Sequence, residues 1–578
     1  MRRMHRNRAL AWVWLPLLLT VSVRVAWLSA FPTEPIAPVD AEGFHLLAVN
    51  MLDGKGFAIG WDPPLCPTAV RTPLYPWFVA GVYSLLGRDP QRVVLVQILL
   101  EVLTAAGAMA LTSELATAAG TGRSTKATHV RPAMFLAGVL YAINGTTQRF
   151  TGYLFSEALL LPLMPLALIL TLRSLRCPPR RSALGRTSFR EQRPDGDQRN
   201  LKARSGFGQW ISVLFTVVRD KTAKVCVRMG RGLSVRPAMG RSQAFASMLT
   251  YTPSAAIWGL ILLIKPNGQY LVLAVGVLVT VRLYVVRRSL QGRWLCTAGA
   301  FWAVLMLVLL PWLVRNRLLL GRWTLSTAFD ENVARVSAVA TQAALQSIEV
   351  KPWSETWEYL YRTLELQAVP ELAGVPAKEL APCALQMAWQ RRIADAALTL
   401  VAANAGPYLR VHLQGVLRSL LDPGHRFWYR VITGQDWVST GVVPDIWQRM
   451  AWSLKQWAVG DALEALWLER VWRIPPLAGV LWWGLVAGRV AVGQLAVRSV
   501  WRLRSAARIA RDPWAALLLA GTVGYHILLP GPIAGDRFYA PVVPVVVALI
   551  AHGAARRHPQ SGETTDHANG SAVELVDL

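Results

Sequence analysis

Runs of about 20 consecutive apolar residues, each long enough to cross a bilayer as a helix, recur along the chain between charged or proline-rich stretches. They place spanning segments near 10–31, 91–112, 131–150, 153–172, 251–265, 268–286, 295–316, 476–498, 513–530 and 538–555. The expected fold class is therefore an all-α polytopic membrane protein with about ten transmembrane helices. The first run, Leu10 to Phe31, is longer than a signal-peptide core and lacks a small-residue cleavage site, so it reads as a retained anchor.

Two stretches depart from this rhythm. Within residues 32–90, PLYPWFVAGVYSLLG (73–87) is short for a crossing and carries tyrosine and tryptophan. It reads as an amphipathic helix at the membrane surface, where aromatic rings prefer the interface. Residues 317–475 hold SETWEYLYRTLELQ, PYLRVHLQGVLRSLL and WQRMAWSLKQWAVGDALEALWLERVW, expected as amphipathic helices resting on the outer leaflet. Between 251 and 286, KPNG (Lys265–Gly268) punctuates two short apolar halves, and proline with glycine marks a break between two helices. A single kinked span there would invert everything downstream.

Composition agrees with the pattern. The chain of 578 residues is 53% hydrophobic and 16% charged, against about 25% charged residues in soluble domains. The formal net charge of +27 would point to nucleic acid in a soluble protein. Here the cations lie in loops: MRRMHRNR at the start, RSTKATHVR, the stretch 173–249, RRSLQGR (287–293), WRLRSAARIARD (501–512) and AARRH after residue 553. If the start is cytoplasmic, every one of these falls on the cytoplasmic side, as positive charge does in membrane proteins. Both termini are then cytoplasmic, 32–90 and 317–475 lie outside, and nucleic acid is not an expected partner. The expected organisation is a transmembrane module 1–316, an outer helical region 317–475, C-terminal transmembrane helices 476–555 and a polar, disordered tail 556–578. The five cysteines, Cys66, Cys177, Cys226, Cys296 and Cys383, are scattered with no CxxC pair, which suggests neither a disulfide framework nor a zinc site.

With that topology, Asp40, Glu42, Arg71, Glu157, Arg315, Asn316 and Arg537 reach the same outer boundary from separate parts of the chain. Ionisable groups near membrane depth cost about 2.5–3.5 kcal/mol each on insertion scales and persist where they pair or serve function. Two acids facing several arginines fit a site that handles a phosphate and a hydroxyl. Arginine forks grip phosphate oxygens, and a carboxylate can take the proton from an attacking hydroxyl. Plainer readings stand beside these. Asp40 and Glu42 also fit the first turn of a helix, and Arg71 and Arg537 fit anchors at lipid headgroups. Glu157 also fits an ordinary acid at a helix start, and Lys265 with Asn267 also fits the polar capping of a broken helix. His45 and His526 read as structural. Glu101 lies inside the second span with no partner identifiable from sequence.

Several pieces together resemble the membrane-embedded GT-C glycosyltransferases of the dolichyl-phosphate-mannose protein mannosyltransferase and aminoarabinose-transferase (ArnT-like) group. They are VDAEGFHLLAVNMLDGKGF after the first span, RTPLYPWFVAGVYSLLG, LFSEALLLPL, GLILLIKPNG, PWLVRNRLLLGRWTLST and DRFYAPVVPVVVAL, in family order from about residue 10 to 550. The resemblance implies a GT-C bundle and inverting transfer of a sugar from a polyprenyl-phosphate-linked donor to a protein, lipid or glycan acceptor. It places the reaction on the outer face of a bacterial inner membrane. It puts Asp40 at the catalytic acid/base position with Glu42 beside it, and Arg71 near the donor phosphate, with Arg315 and Arg537 in family motifs of less defined role. Tyr75, Glu157, Asn316 and Lys265 are expected to support the site, and a divalent cation is left open. Lys265 stands where the family often has arginine, and the insertion 173–249 is longer than the family pattern. A transporter or flippase of a lipid-linked or anionic substrate is the alternative. That class favours matching broken helices in two halves, whereas KPNG has no evident counterpart.

Overall fold

The computed structural model describes residues 2–60, 65–118, 126–176, 239–287, 293–348, 350, 354–374, 383–421, 513–529 and 539–554. The expected span 476–498, the third amphipathic segment, the tail, most of the basic stretch 173–249, Cys177, Cys226 and Arg537 lie outside the described residues.

The described chain is helical: α1 (Arg2–Ala30), α2 (Val39–Leu52), α3 (Leu74–Leu86), α4 (Pro90–Ala118), α5 (Lys126–Ala142), α6 (Gly145–Thr151), α7 (Glu157–Arg176), α8 (Met239–Ile264), α9 (Gln269–Arg287) and α10 (Arg293–Leu320). α11 (Ala328–Asn332) passes through a π turn (Val333–Ala338) into α12 (Val339–Leu345). Then follow α13 (Glu355–Ala368), α14 (Cys383–Ala403), α15 (Ala405–Leu421), α16 (Pro513–Leu528) and α17 (Val543–Ala554). Among the described residues five helices are long and apolar enough to cross a membrane: Trp12–Ala30, Pro90–Ala116, Glu157–Arg176, Pro266–Val285 and Trp294–Leu320. Together with shorter apolar helices such as Tyr251–Ile264, they make a helical integral membrane protein.

Local chemistry sets the breaks. α8 stops at Ile264 because Pro266 has no amide proton to donate and pushes the preceding residue out of the helical region; Lys265 takes φ −143°, ψ 102°. The expected run 131–150 is two helices, a correction to the sequence reading. α5 ends at Ala142, and the Asn144 side chain caps α6 by accepting from the Thr147 amide. Ser354 likewise caps α13, accepting from the Trp357 amide.

Side-chain contacts establish how the helices run. Going up α1, Pro16 meets Gly138 and Arg24 meets Ala142, so α1 and α5 are parallel. Arg24 and Tyr141 both bond Glu101, whereas Gly138 lies against Met109, so α4 is antiparallel to both. α4 and α7 are parallel, with Gly107 against Pro165 and Glu114 against Arg173 and Arg176. α7 and α8 are antiparallel: Glu157 pairs with Lys265, Thr171 with Ser254, and the Ser174 carbonyl with the Tyr251 hydroxyl. α9 and α10 are antiparallel as well, with Gly276 against Trp302 and Tyr284 against Trp294. These directions gather the start of α2, residues 143–156, Lys265–Gly268 and residues 321–327 at one end of the bundle, called here the site end.

Hydrophobic packing falls into separate cores. The largest joins α7, α8, α9, α10, α16 and α17 around Trp258 and Phe301. A second lies beneath the site end, where Phe44 of α2 and Tyr75 and Val79 of α3 meet Leu154, Phe155 and Ala540. A third belongs to residues 333–397 alone, built on Trp357, Leu360, Trp389 and Ile393.

Small residues let the spanning helices approach closely. A Cβ added at Gly276 would come 2.3 Å from the Trp302 ring, whose indole nitrogen donates to Thr280. Gly276→Ala is therefore expected to lower stability by about 1–3 kcal/mol, the usual cost of overpacking. Gly299→Ala, where nothing lies within 4 Å, is expected to be neutral or stabilising because glycine is a poor helix former. Thermal unfolding of the two purified variants in detergent checks the contrast.

Candidate active site

α2 begins just after Pro38, which holds the N-cap position, so Asp40 and Glu42 fall in its first turn. Acids in a first turn are favoured by the positive end of the helix dipole. The Asp40 carboxylate is also engaged from outside the helix: Oδ1 accepts from Arg71 Nη2, an ion pair between two partly exposed side chains. Arg71 stands just before α3, and its guanidinium lies 5.4 Å from the Phe44 ring centre. Phe44 in turn packs edge-on to Tyr75 at 4.8 Å. The fully buried Tyr75 donates to Gln97 Oε1 at 2.6 Å, and Gln97 donates to the Tyr153 carbonyl at 2.9 Å. One contiguous set of contacts thus runs from Asp40 through α3 into α4 and the 150–155 turn.

Two polar atoms at this place stand out. Arg71 Nε and Thr72 Oγ1 are buried and have no hydrogen-bond partner among the described residues. A buried donor left unmade costs about 1–3 kcal/mol, and buried polar groups in folded proteins are nearly always satisfied. The two orphaned atoms belong to adjacent residues, and Arg71 is the one whose Nη2 pairs with Asp40.

Glu157 sits at the start of α7 and is fully buried. Lys265, at the helix break, pairs with it at 2.5 Å, and the Ser156 hydroxyl lies 3.3 Å away. Lys265 also borders an apolar cavity lined by Met164, Trp258, Leu271 and Leu529, with His526 on its wall. Lys265, already paired with Glu157, is thus a cationic side chain on the wall of a small, mainly apolar recess.

Arg315, near the end of α10, faces the chain that leads to Arg71. It donates to the Thr68 carbonyl at 2.7 Å, to Asn316 Oδ1 at 2.9 Å and to the Phe57 carbonyl at 3.3 Å, between the rings of Trp312 and Phe57. Asn316 donates to the Thr324 carbonyl at 2.7 Å. The structure thus places Arg315 and Asn316 as clamps on the loops around the site, one clamp removed from Asp40. Lysine offers no planar fork, so Arg315→Lys is expected to loosen residues 57–71. The check is faster tryptic cleavage after Lys55 and Arg71 than in the unaltered protein.

His45, one turn beyond Glu42, contacts the Tyr83 hydroxyl through Nδ1 at 2.8 Å. Burial pushes its imidazole below the ordinary histidine value, with Glu42 pulling weakly the other way. Burial also raises the Tyr83 phenol. Among the described residues no three His, Cys, Asp or Glu side chains come together as metal ligands do.

Two features escaped sequence reasoning. Arg24, inside α1, is completely buried; it bonds Glu101 at 3.1 Å, Thr147 Oγ1 at 2.8 Å and the Ala142 carbonyl at 2.9 Å, while Tyr141 donates to the same carboxylate. It is the partner that Glu101 required, and the arginine interrupting TVSVRVAW was the available signal. The second is a correction: Cys66 and Cys383 form a disulfide with Cα atoms 5.3 Å apart. Their separation of 317 residues carries no spacing signal. Cys296 is free and exposed.

No family model matches the chain, and no curated protein matches it. Among solved structures it is similar to ArnT from Cupriavidus metallidurans bound to undecaprenyl phosphate, at 12% identity and a TM-score of 0.33 over 94% of this chain and 77% of that one. It is also similar to the archaeal oligosaccharyltransferase AglB from Archaeoglobus fulgidus in complex with an inhibitory peptide and a dolichol-phosphate, at 11% identity and a TM-score of 0.41. That match takes in 95% of this chain and half of AglB's length. Likeness at this level transfers neither a residue role nor a reaction.

Proposed function

We propose that this chain is a GT-C-type membrane glycosyltransferase that moves a sugar from a polyprenyl-phosphate donor to an acceptor hydroxyl at the site end, facing the outer side of the membrane. The observation that carries the reading is the Asp40–Arg71 ion pair with the orphaned Arg71 Nε and Thr72 Oγ1 beside it. The ordered motifs around Asp40 and Arg71 support it. The acceptor oxygen attacks the anomeric carbon from the face opposite the phosphate, and Asp40 accepts the hydroxyl proton. The bond from that carbon to the phosphate oxygen breaks with its electron pair going to the departing polyprenyl phosphate. Arg71 and Thr72 donate hydrogen bonds to the phosphate as its charge grows, from positions held before the reaction begins. Inversion follows from the single displacement. Glu42 reinforces the negative edge that faces the acceptor. Lys265, balanced by Glu157, lies beside the apolar recess and suits the donor's lipid–phosphate junction. Arg537, in the motif DRFYAPVVP, joins the proposed cationic set on its sequence motif alone.

The test uses purified protein in lipid nanodiscs given polyprenyl-phosphate sugars labelled in the sugar. Label passing into protein, lipid or glycan with release of polyprenyl phosphate supports transfer. Intact labelled donor crossing the bilayer of a proteoliposome, with no bond broken, supports a transporter instead.

A further inference from the structure

Residues 333–397 have a hydrophobic core of their own, so apolar packing of that core does not by itself hold them on the bundle. The chain enters this unit through 321–327, and α15 touches the bundle where His412 Nε2 meets the Leu528 carbonyl at 2.8 Å. Among the described residues a further link is covalent. Cys383 is the first residue of α14, whose Trp389 and Ile393 lie in that separate core. Its partner Cys66 lies five residues before Arg71, in the loop that Arg315 grips at Thr68 and Phe57. The same loop is also held from 326–327: Ser326 Oγ donates to the Val70 carbonyl at 2.8 Å and the Thr327 amide to the Ala69 carbonyl at 3.0 Å. The final stretch before Arg71 is therefore anchored from the bundle by hydrogen bonds and from the helical unit by a disulfide.

We propose that the Cys66–Cys383 disulfide is a positioning crosslink, which locks the helical unit 328–421 onto the Arg71 loop so that the phosphate-gripping groups stay aimed at Asp40. The proposal rests on the reading of that site as a polyprenyl-phosphate site. Disulfides persist in oxidising compartments, so the crosslink also requires the site end to face one. Forming it takes two protons and two electrons from the two thiols, which a disulfide-bearing oxidant accepts by thiol–disulfide exchange, ending as a dithiol. Neither cysteine touches the proposed reactants, and both act through the loop.

Three measurements on the full chain in nanodiscs test this. Peptide mapping without reductant is expected to recover the Cys66–Cys383 pair, and finding both thiols free overturns the proposal. Binding of undecaprenyl phosphate is expected to weaken at least several-fold in Cys66→Ser/Cys383→Ser and in protein treated with dithiothreitol, while Cys296→Ser keeps the affinity of the unaltered chain. Arg71→Ala serves as the reference for a damaged phosphate site. If Arg71→Ala weakens binding but loss of the disulfide does not, the crosslink has no positioning role and the site reading stands. If Arg71→Ala also binds normally, the phosphate-site reading falls and takes the positioning claim with it, whatever the peptide map shows. A fall in affinity with unchanged thermal unfolding separates positioning from general loss of structure.

Discussion

Asp40→Asn is expected to lower the rate of sugar transfer by about 10²–10⁴-fold, the usual contribution of a positioned general base. The amide keeps the size of the side chain and an oxygen that accepts from Arg71 Nη2, so the contact between the two residues survives in shape. What disappears is the negative charge and the capacity to take a proton. The ion pair is partly exposed, at 30% for Asp40 and 27% for Arg71, so its loss costs little folding stability, as for other solvent-accessible pairs. The expected signature is a fall in kcat with amounts of membrane-inserted protein and affinity for undecaprenyl phosphate close to those of the unaltered chain. A variant that retains more than a tenth of the rate removes Asp40 from the proton transfer. Glu42, the other acid in the first turn of α2, would then be the next carboxylate to examine.

Arg24→Met is expected to produce the largest loss of stability, about 3–5 kcal/mol, the range for removing one partner of a buried ion pair. Arg24 is 0% exposed and Glu101 2%, so methionine leaves a carboxylate with only the Tyr141 hydroxyl to balance it. The arginine also holds the Ala142 carbonyl at the end of α5 and the Thr147 hydroxyl in α6, the two sides of the turn that breaks the expected 131–150 span. Its removal therefore frees a helix end as well as a charge. Thermal unfolding in detergent reads the effect. The double variant Arg24→Met/Glu101→Gln is expected to recover a large part of the loss, because replacing a buried pair together avoids the stranded charge. If the single variant unfolds at the same temperature as the unaltered protein, the cluster is not what joins α1, α4, α5 and α6.

Much of the architecture was legible in the chain because bilayer spanning is a local property. Twenty apolar residues announce a helix whatever their neighbours do. Lys265-Pro266 announces a break because proline has no amide proton and restricts the residue before it. The run SETWEYLYRTLELQ reads as an amphipathic helix from the spacing of its apolar residues, and α13 forms there. The start of α2 is similar: Asp40 and Glu42 read as first-turn acids, and that is where they lie. The division of 131–150 was missed because Asn144 acts through a single side-chain bond inside an apolar run, too small a signal to alter the average hydropathy.

The pairings could not be read in the same way. Arg71 reaches Asp40 across 31 residues, Arg24 reaches Glu101 across 77, Lys265 reaches Glu157 across 108, and Cys66 reaches Cys383 across 317. Hydropathy and helix chemistry act over a few residues, whereas each of these contacts exists because helices packed side by side return distant positions to the same depth. The sequence by itself determined that the chain is a membrane-spanning helical protein with acids where it first leaves the bilayer. Only the tertiary structure decided that Arg71 is the residue facing Asp40, that Arg315 holds the loop behind it, and that a disulfide ties the separately cored helices to that loop.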